Sequence, residues 1–302
     1  MWVADKWKDY EVIDCSNGEK LERWGSYILL RPDPQVIWNT PKKAKEWNSL
    51  NAHYHRSNKG GGEWEFFSLP QQWNISYNSL TFNLKPFSFK HTGLFPEQAV
   101  NWDWVSSRIS SALDKQPDRT IKILNLFAYT GGATVACAKA GFNLSSGNTS
   151  KVSVTHVDAS KGMVGWAKEN AVSSGLESAP IRYIVDDCKK FVEREIRRGS
   201  LYDAVIMDPP SYGRGPKGEI WKLEESLYPF IELCSDVLVK KPLFFLINSY
   251  TTGLQSSVLS YILNICLTKR FGGCVEADEI GLPVKENGLI LPCGASGRWF
   301  SC

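Results

Sequence analysis

The second half of this chain alternates short apolar runs with amphipathic segments, and this alternation constrains the fold more than any other feature. The apolar runs have the length of buried strands and comprise Ile121–Phe127, Val152–Val157, Ile181–Val185, Ala204–Met207 and Leu243–Ile247. Segments between them, such as 188–198, carry apolar residues at helical spacing and charged residues on the other side. Strands that alternate with helices pair in parallel through right-handed crossovers. The pattern predicts a doubly wound, mostly parallel α/β sheet, to which Ile280–Leu291 and Arg298–Cys302 add an antiparallel edge pair.

Residues 1–85 are predicted to form a smaller β-rich domain that precedes an α/β domain at 86–302. The strand-like runs of the smaller domain are Tyr10–Cys15, Tyr27–Leu30, Trp64–Phe67, Trp73–Tyr77 and Leu80–Leu84. Asn78 and Ser79 indicate a tight hairpin between the last two runs. The polar stretch 39–62, which includes His53 and His55 and ends in three glycines, is predicted to be a mobile loop.

The charge balance neither requires nor excludes a nucleic-acid partner. The chain has 35 Lys and Arg residues against 32 Asp and Glu, which gives a net charge of +3. A strongly basic protein would have indicated phosphate contacts over much of its surface. Any basic binding face of this chain must therefore be local.

The eight cysteines include no C-x-x-C pair, and several of them lie in apolar runs, as Cys137 does. This usage predicts reduced, buried thiols rather than a disulfide framework. Because the chain has no zinc motif, and because His53 and His55 lie in a predicted loop, we expect no metal site.

Neither a secretion signal nor a membrane span is predicted. The first residues lack the apolar core of a signal peptide, and the longest strongly apolar run, Leu243–Ile247, is too short to cross a bilayer. We therefore expect a cytoplasmic protein without a membrane partner, in which the sequons at Asn74, Asn143 and Asn148 arise by chance.

A polar or glycine-rich segment follows each of the first four strands of the predicted α/β domain. These segments are Asn125–Gly132, Asp158–Ser160, Asp186–Cys188 and Asp208–Tyr212. In open α/β sheets, ligands bind beyond the carboxyl ends of the strands, near the point where the strand order reverses. We therefore expect the four segments to line one crevice.

The segment Asn125–Gly132 combines small residues with paired glycines. Such a turn lets the backbone approach a ligand at the start of a helix, although it can equally be a packing device. Its spacing is not G-x-G-x-x-G, which argues against a nicotinamide dehydrogenase.

The carboxylates after the second and third of these strands suit a nucleoside. Asp158 can accept both hydroxyl protons of a ribose, while Ser160 can cap the helix that follows. One of Asp186 and Asp187 can cap the next helix, and the other can accept the exocyclic amine of an adenine. The alternative interpretation is that these residues are helix caps only.

The segment Asp208-Pro209-Pro210-Ser211-Tyr212 is the most specific of the four. Two consecutive prolines fix the backbone and remove two amide donors, so that carbonyl oxygens are left to face the crevice. Arg214 and Lys217 follow in a glycine-rich stretch, where they either contact phosphate or stay solvated.

Taken together, the four segments resemble the successive motifs of class I S-adenosylmethionine (SAM) methyltransferases. Asn125–Thr130, Val157–Lys161 and Asp208–Tyr212 are most similar to the 23S ribosomal RNA large-subunit methyltransferase group, which includes cytosine-C5 and guanine-N7 enzymes. Asn170 and the segment Lys90–Gln98 also resemble that group. The resemblance covers residues 85–300 and implies a Rossmann-like, mostly parallel, seven-stranded methyltransferase sheet with SAM as the cofactor.

The resemblance also implies roles for individual residues. The residues implied to bind the cofactor are Phe95, Asn125, Phe127, Ala128, Tyr129, Thr130, Gly131, Asp158, Ala159, Ser160, Asp186, Asp187, Cys188 and Asp208. Asp158 would hold the ribose hydroxyls, Asp187 or Asp186 the adenine amine, and 127–131 would line the methionine moiety. The catalytic residues, which would face the methyl acceptor, are Asp208, Pro209, Pro210 and Tyr212.

One departure from the group decides which reaction we expect. Pyrimidine-C5 methylation needs a thiolate. In the cytosine-C5 members that Cys follows the fifth strand, where this chain has Ile247-Asn248-Ser249-Tyr250. Unless Cys188 or Cys234 reaches the base, C5 chemistry is excluded.

We therefore predict methylation of a nitrogen of an RNA base, with ribosomal RNA as the substrate. The tryptophans of the N-terminal region then either grip RNA or pack its own core. The alternatives are a methyltransferase that acts on a protein side chain or a small molecule, and a cofactor-binding RNA-interaction protein with little catalysis.

Overall fold

The computed structural model describes residues 1–57, 61–87, 90–142, 150–214, 220–251 and 253–302. Gly60, the sequons at Asn143 and Asn148, and Lys217 lie outside the described residues. The chain divides into two compact units, one formed by Met1–Val100 with Ile280–Cys293 and the other by Asn101–Glu279 with Gly294–Cys302. The sequence analysis placed a domain boundary at 85/86, which stays a prediction about independent domains.

From β9 onward the strands alternate with helices, as the sequence pattern predicts. The strands before the first helix are β1 (Trp2–Val3), β2 (Tyr10–Ser16), β3 (Glu19–Trp24), β4 (Tyr27–Pro32), β5 (Ala52–Arg56), β6 (Gly62–Phe66), β7 (Trp73–Tyr77) and β8 (Leu80–Leu84). The later strands are β9 (Ile121–Leu126), β10 (Val152–Asp158), β11 (Ile181–Val185), β12 (Ala204–Met207), β13 (Tyr212–Arg214), β14 (Ile220–Lys222), β15 (Phe244–Ser249), β16 (Cys274–Pro283) and β17 (Ile290–Phe300). The helices are α1 (Ala99–Lys115), α2 (Gly132–Gly141), α3 (Lys161–Ser173), α4 (Cys188–Arg198), α5 (Leu223–Ser235), α6 (Ser256–Leu263) and α7 (Lys269–Phe271).

The large sheet has the doubly wound arrangement predicted for this half of the chain. Its strands run in the order β11, β10, β9, β12, β15, β17 and β16, and β1 pairs with β16 at Ile280 and Gly281. The first five of these strands are parallel, whereas β17 is antiparallel to β15. The predicted number of seven strands is thus present, and β1 makes the sheet eight-stranded. The predicted bounds of the edge pair were wrong, because Ile280–Leu291 spans the end of β16, the turn after it and the start of β17.

Burial explains why the central strands are almost entirely apolar. All four residues of β12 and all six residues of β15 are buried, as expected of parallel strands covered by helices on both faces. The chain passes from β9 to β10 and β11 on one side, then returns to β12 on the other side of β9. This reversal creates a topological switch point at the carboxyl ends of β9, β10 and β12.

The N-terminal unit contains a five-stranded sheet in the order β2, β3, β4, β5, β6, and the β7–β8 hairpin. The predicted hairpin turn is confirmed, since Asn78 has a φ of 52° between the two strands. The prediction of a mobile loop over 39–62 was wrong, because β5 lies inside it. Ala52 and Tyr54 are buried, while His53 and His55 project from the other face, so polar residues concealed a half-buried strand.

The structure corrects the prediction that all cysteines are reduced thiols, because Cys274 and Cys302 form a disulfide. The other six are free, and five of them are buried. None of the helices in the described part of the chain combines the length and the apolar character that a bilayer crossing requires.

Candidate cofactor and acceptor site

Hydrogen bonds tie together the carboxyl ends of β9, β10 and β11. The backbone N–H of Tyr129 donates to Oδ2 of Asp158 over 2.9 Å, and the N–H of Asp186 donates to the carbonyl of Asp158 over 3.0 Å. The N–H of Phe127 donates to Sγ of Cys188 over 3.2 Å. The three segments predicted to bind a nucleoside therefore lie at one place, along one edge of the sheet.

The turn after β9 depends on unusual backbone conformations. Phe127 and Tyr129 have φ angles of 52° and 51°, and Gly131 has a φ of 83°. A Cβ on Gly131 would lie 2.8 Å from Cβ of Ala167, so the position demands glycine for space as well as for conformation. Gly131 immediately precedes α2, whose first-turn amides have no intrahelical partner, as in turns that hold anionic or polar ligands.

Two of the predicted cofactor residues make contacts that hold this turn in place. Nδ2 of Asn125 donates to Oγ1 of Thr134 on α2 over 2.9 Å, so its amide joins β9 to that helix. The carbonyl of Thr130 accepts a hydrogen bond from Nδ2 of Asn170 over 2.8 Å. The side chain of Asn170 is fully buried and that of Asn125 is almost fully buried.

His156 on β10 extends this polar chain and was not predicted as a site residue. Its Nδ1 lies 2.9 Å from Oγ1 of Thr134, and its ring is completely buried beneath the turn. Burial lowers the pKa of His156 to about 3, because the protonated ring would lose its hydration. The pattern of β10 could have suggested it, since His156 is the one ionisable residue in the predicted strand Val152–Val157.

Asp158 is placed to accept the two hydroxyls of a ribose. Its Oδ1 accepts the N–H of Ser160 over 2.8 Å, and its Oδ2 accepts the N–H of Tyr129. A carboxylate has about four lone-pair sites, so one on each oxygen is left for a diol. Burial raises the pKa of Asp158, although the two amide donors act in the opposite direction. The prediction that Ser160 caps α3 is confirmed, because its side chain accepts a hydrogen bond from the N–H of Met163. Ala159, between Asp158 and Ser160, is exposed.

The two aspartates after β11 are already partly committed. Oδ1 of Asp187 caps α4 by accepting the N–H of Lys190 over 2.9 Å. Oδ1 of Asp186 accepts the N–H of Asp187 over 2.8 Å, and its Oδ2 forms an ion pair with Arg194. Both oxygens of Asp186 are therefore engaged, whereas Asp187 caps α4 through Oδ1, so that its Oδ2 is the better acceptor for an amine.

The segment after β12 reaches the same edge of the sheet. The N–H of Asp208 lies 3.4 Å from the carbonyl of Leu126, the last residue of β9. Pro209 is buried, and Pro210 and Ser211 are exposed. Tyr212 begins β13 with 52% of its surface exposed. The predicted acceptor residues thus pass from the buried edge of the sheet to an open aromatic ring.

Residues outside the motif hold this segment from the side. Nε1 of Trp221 donates to the carbonyl of Pro210 over 2.7 Å. The sequence predicted a carbonyl left open to the crevice, whereas one lone pair of this oxygen is already used. Oγ1 of Thr251 donates to Oγ of Ser211 over 2.6 Å. The ring of Trp221 also lies 5.2 Å from that of Phe127, which connects the acceptor segment to the turn after β9.

Sequence reasoning did not find Trp221, because its role depends on pairing with Gly213, eight residues earlier. Strands β13 and β14 place Tyr212 opposite Lys222 and Gly213 opposite Trp221. Arg214 lies on β13 opposite Ile220, and its predicted phosphate contact stays a prediction. Phe95 belongs to the N-terminal unit, where its ring lies 5.5 Å from that of His91, and its cofactor contact stays a prediction as well.

Neither cysteine proposed as a thiolate nucleophile is suited to that role. Cys188 is 3% exposed and Cys234 is completely buried. Burial raises the pKa of each thiol, so both stay protonated at neutral pH. Asn248 and Ser249, which stand where the cytosine-C5 enzymes have their Cys, are buried at the end of β15. The structure therefore supports chemistry that needs no thiolate.

Comparison with known proteins identifies the family. Residues 20–224 match the family described as S-adenosylmethionine-dependent methyltransferase. A solved SAM-dependent methyltransferase from Agrobacterium tumefaciens is 36% identical, with a TM-score of 0.86 over 98% of this chain and 91% of that one. The chain belongs to the SAM-dependent methyltransferase family. SAM is therefore its cofactor, and the predicted fold is that of the family.

Relatives known from sequence match a shorter region. The ribosomal RNA large subunit methyltransferase K/L of Pseudoalteromonas atlantica is 32% identical over 160 residues, which are 53% of this chain and 20% of that protein. The protein of the same name from Shewanella baltica is 30% identical over 138 residues, 46% of this chain and 16% of that protein. The matched region is thus a fifth or less of the length of these relatives.

A second solved structure is similar to this chain in fold alone. It is the protein SMU.776, crystallised with S-adenosylhomocysteine (SAH), with a TM-score of 0.69 and 16% identity over 97% of this chain and 76% of that one.

Proposed function

We propose that the chain methylates a nitrogen of an RNA base, with ribosomal RNA as the favoured substrate. The observation that carries the proposal is the segment Asp208–Tyr212, which leads from the edge of the sheet at β9 to an exposed tyrosine ring, in a site whose nearby thiols are buried and protonated. When bound, SAM supplies an electrophilic methyl group on a sulfonium. The protein's task is then alignment of the acceptor rather than activation of a nucleophilic cysteine.

The cofactor contacts follow from the residues at the ends of β9, β10 and β11. Asp158 receives the ribose hydroxyls with the lone pairs that its two amide donors leave. Asp187 accepts the adenine amine through the oxygen that does not cap α4, while its neighbour Asp186 stays paired with Arg194. The turn 127–131 lines the methionine moiety with backbone held by Asn125 and Asn170.

The acceptor contacts follow from the segment after β12. Asp208 accepts a hydrogen bond from the N–H of the target nitrogen. It takes the proton that this nitrogen loses as the N–C bond forms and the bond between methyl and sulfur breaks, which leaves SAH. Tyr212 provides a flat, accessible face on which a planar base stacks. A base that starts inside a duplex must first be flipped out to reach such a site.

The names of the relatives favour RNA over other acceptors. The proteins from Pseudoalteromonas atlantica and Shewanella baltica are both named as ribosomal RNA methyltransferases. Under this proposal the protein acts in the cytoplasm, where ribosomal RNA is found. The near-neutral net charge of +3 means that any RNA-binding surface is local.

The decisive experiment compares nucleosides of ribosomal RNA from a deletion strain and its parent by mass spectrometry. One N-methylated nucleoside should be missing from the deletion strain and should return with the wild-type gene. Asp208→Asn should fail to restore it, because the amide cannot accept the proton from the acceptor nitrogen. The purified variant should bind SAH like the wild type, which would show that the loss lies in catalysis. An unchanged set of methylated nucleosides in all RNA classes would contradict the proposal.

A protein side chain or small molecule is the second candidate acceptor, since the same segment can hold a planar amide. Labelled SAM should distinguish the two, by incubation with cell extract from the deletion strain before and after ribonuclease treatment. Label in material that ribonuclease degrades supports RNA. Label that survives ribonuclease but not protease would replace the RNA proposal with a protein substrate.

A further inference from the structure

Three potential metal ligands cluster on one face of the N-terminal sheet. His53 and His55 lie two residues apart on β5, so both side chains project from the same face. Glu65 on β6 pairs directly opposite His53 in the antiparallel register. One ligand atom from each of these residues lies within 4.8 Å of the other two. This arrangement was hidden in the sequence, where the two histidines fell in a stretch interpreted as a loop.

We propose that His53, His55 and Glu65 bind a divalent transition-metal ion, with Zn²⁺ as the reference ion. The proposal departs from the sequence-based expectation of no metal site and is independent of the methyl-transfer reaction. Two imidazoles and one carboxylate form a three-ligand set, which leaves a fourth position of a tetrahedral ion for water. Imidazole nitrogen favours zinc, copper or nickel over Mg²⁺ and Ca²⁺, which prefer oxygen ligands throughout.

The present geometry is close to what such an ion requires. Zinc–ligand bonds of about 2.0–2.1 Å place the ligand atoms of a tetrahedral site about 3.4 Å apart. Nε2 of His55 already lies 2.8 Å from Oε2 of Glu65, and the two imidazole rings have centroids 3.9 Å apart. Small side-chain rotations are therefore enough to close the site. The ion would replace the proton that His55 and Glu65 now share in a hydrogen bond.

A further carboxylate orients the less exposed histidine. Nε2 of His53 lies 2.8 Å from Oε1 of Glu19 on β3, and Oε2 of Glu19 forms a 3.2 Å ion pair with Lys42. A carboxylate on one imidazole nitrogen fixes the ring and strengthens the other nitrogen as a ligand. The His53 side chain is 19% exposed, whereas His55 and Glu65 are 47% and 53% exposed. An ion thus has an open path to a site whose inner ligand is already held.

Metal binding here would join the last two strands of the sheet. β6 is the edge strand, and four of its five residues are exposed. A bond from β5 to β6 through the ion adds a cross-strand link where apolar packing is sparse. Because the ion binds the folded chain, it should also raise the unfolding temperature.

Titration calorimetry with ZnCl₂ on the full-length protein tests the site, in a non-chelating buffer with the thiols reduced. We expect one ion per chain to bind in a manner that His53→Ala, His55→Ala and Glu65→Gln each weaken at least tenfold. Glu177→Gln is the matched control, because it removes an exposed carboxylate in the other unit, and it should bind like the wild type. Circular dichroism of each variant verifies that the fold is retained.

Cobalt distinguishes this site from zinc bound by cysteines. Co²⁺ bound by nitrogen and oxygen should give visible absorption without the intense near-ultraviolet thiolate band that sulfur ligands produce. The double variant His53→Ala/His55→Ala should lose this spectrum and the zinc-dependent rise in unfolding temperature. The proposal is overturned if the wild type binds no zinc at micromolar concentration, or if the double variant binds it as tightly as the wild type.

Discussion

Asp158 at the end of β10 and Asp208 after β12 lie at the same edge of the sheet, yet different groups hold the segments that they begin. Backbone amides of Tyr129 and Ser160 hold both oxygens of Asp158, so the main chain itself fixes this carboxylate. After Asp208 two prolines supply no amides. Backbone hydrogen bonds hold the segment at Asp208 and Ser211, and the Nε1 of Trp221 holds the Pro210 carbonyl between them. The segment ends in an exposed tyrosine.

The difference teaches which part of the site is built for a constant ligand. Contacts made by the main chain survive most substitutions, so the end of β10 suits a cofactor that never changes. Contacts made by side chains such as Trp221 and Thr251 can be altered one residue at a time. We infer that the acceptor side is where members of the family adapt to different substrates.

The largest effect should come from Asp158→Asn, which tests the cofactor side. The amide keeps one acceptor oxygen but places an NH₂ group where a ribose hydroxyl or a backbone amide must donate. The loss of one hydrogen bond, and of the charge that strengthens the other, should weaken binding by roughly 3 kcal/mol, or about a hundredfold. Titration calorimetry with SAH measures this change.

Asp187→Asn provides the comparison for that measurement. It keeps an oxygen able to cap α4 and alters only the proposed contact to adenine, so it should weaken SAH binding by about tenfold. Equal affinities for wild type and Asp158→Asn would show that the ribose is held elsewhere.

The next largest effect should be on the pH dependence of stability, and it concerns His156 beneath the turn after β9. Burial lowers the pKa of this histidine to about 3. The folded chain keeps this ring neutral, whereas the unfolded chain protonates it near pH 6.5. The unfolded state therefore takes up the extra proton as the pH falls. Stability from this group is present above pH 6.5 and is lost progressively toward pH 3.

By pH 5 this loss should reach about 2 kcal/mol relative to pH 7.5. Urea unfolding at the two pH values measures it, and His156→Gln should remove this share of the pH dependence. His91→Gln should remove a second share of similar size, since burial also lowers the pKa of that histidine, to about 4, in the N-terminal unit. The idea fails if His156→Gln destabilises the protein equally at both pH values and leaves the original pH dependence in place.

The smallest effect should come from Trp221→Phe, which tests the acceptor side. The variant removes the 2.7 Å hydrogen bond to the Pro210 carbonyl but keeps an aromatic ring beside Phe127 and Phe230. Loss of one neutral hydrogen bond, about 1 kcal/mol, should lower kcat about fivefold. The affinity for SAH should stay at its wild-type value. A matching loss of SAH affinity would mean that the two sides of the site are not separable.

Four strands were predicted to the residue and β9, β10 and β15 to within two residues, whereas β3 and β5 were missed. β11 and β12 have the predicted bounds, as do β7 and β8. A buried strand such as β12 can be recognised in the sequence, because both of its faces must be apolar. β5 was missed because its outward face carries two histidines and an arginine, and only pairing with β4 and β6 makes it a strand. The same omission concealed the proposed metal ligands.

What the sequence determined by itself was the alternation of strands and helices, and hence the edge of the sheet where the aspartates gather. This follows from local periodicity and from the handedness of βαβ connections, which need no knowledge of distant contacts. What only the tertiary structure decided was which oxygens are already used: both of Asp186, one of Asp187, and one lone pair on each oxygen of Asp158. Hydrogen-bond partners are fixed by where backbone amides and side chains meet in space, and a linear pattern does not encode those meetings.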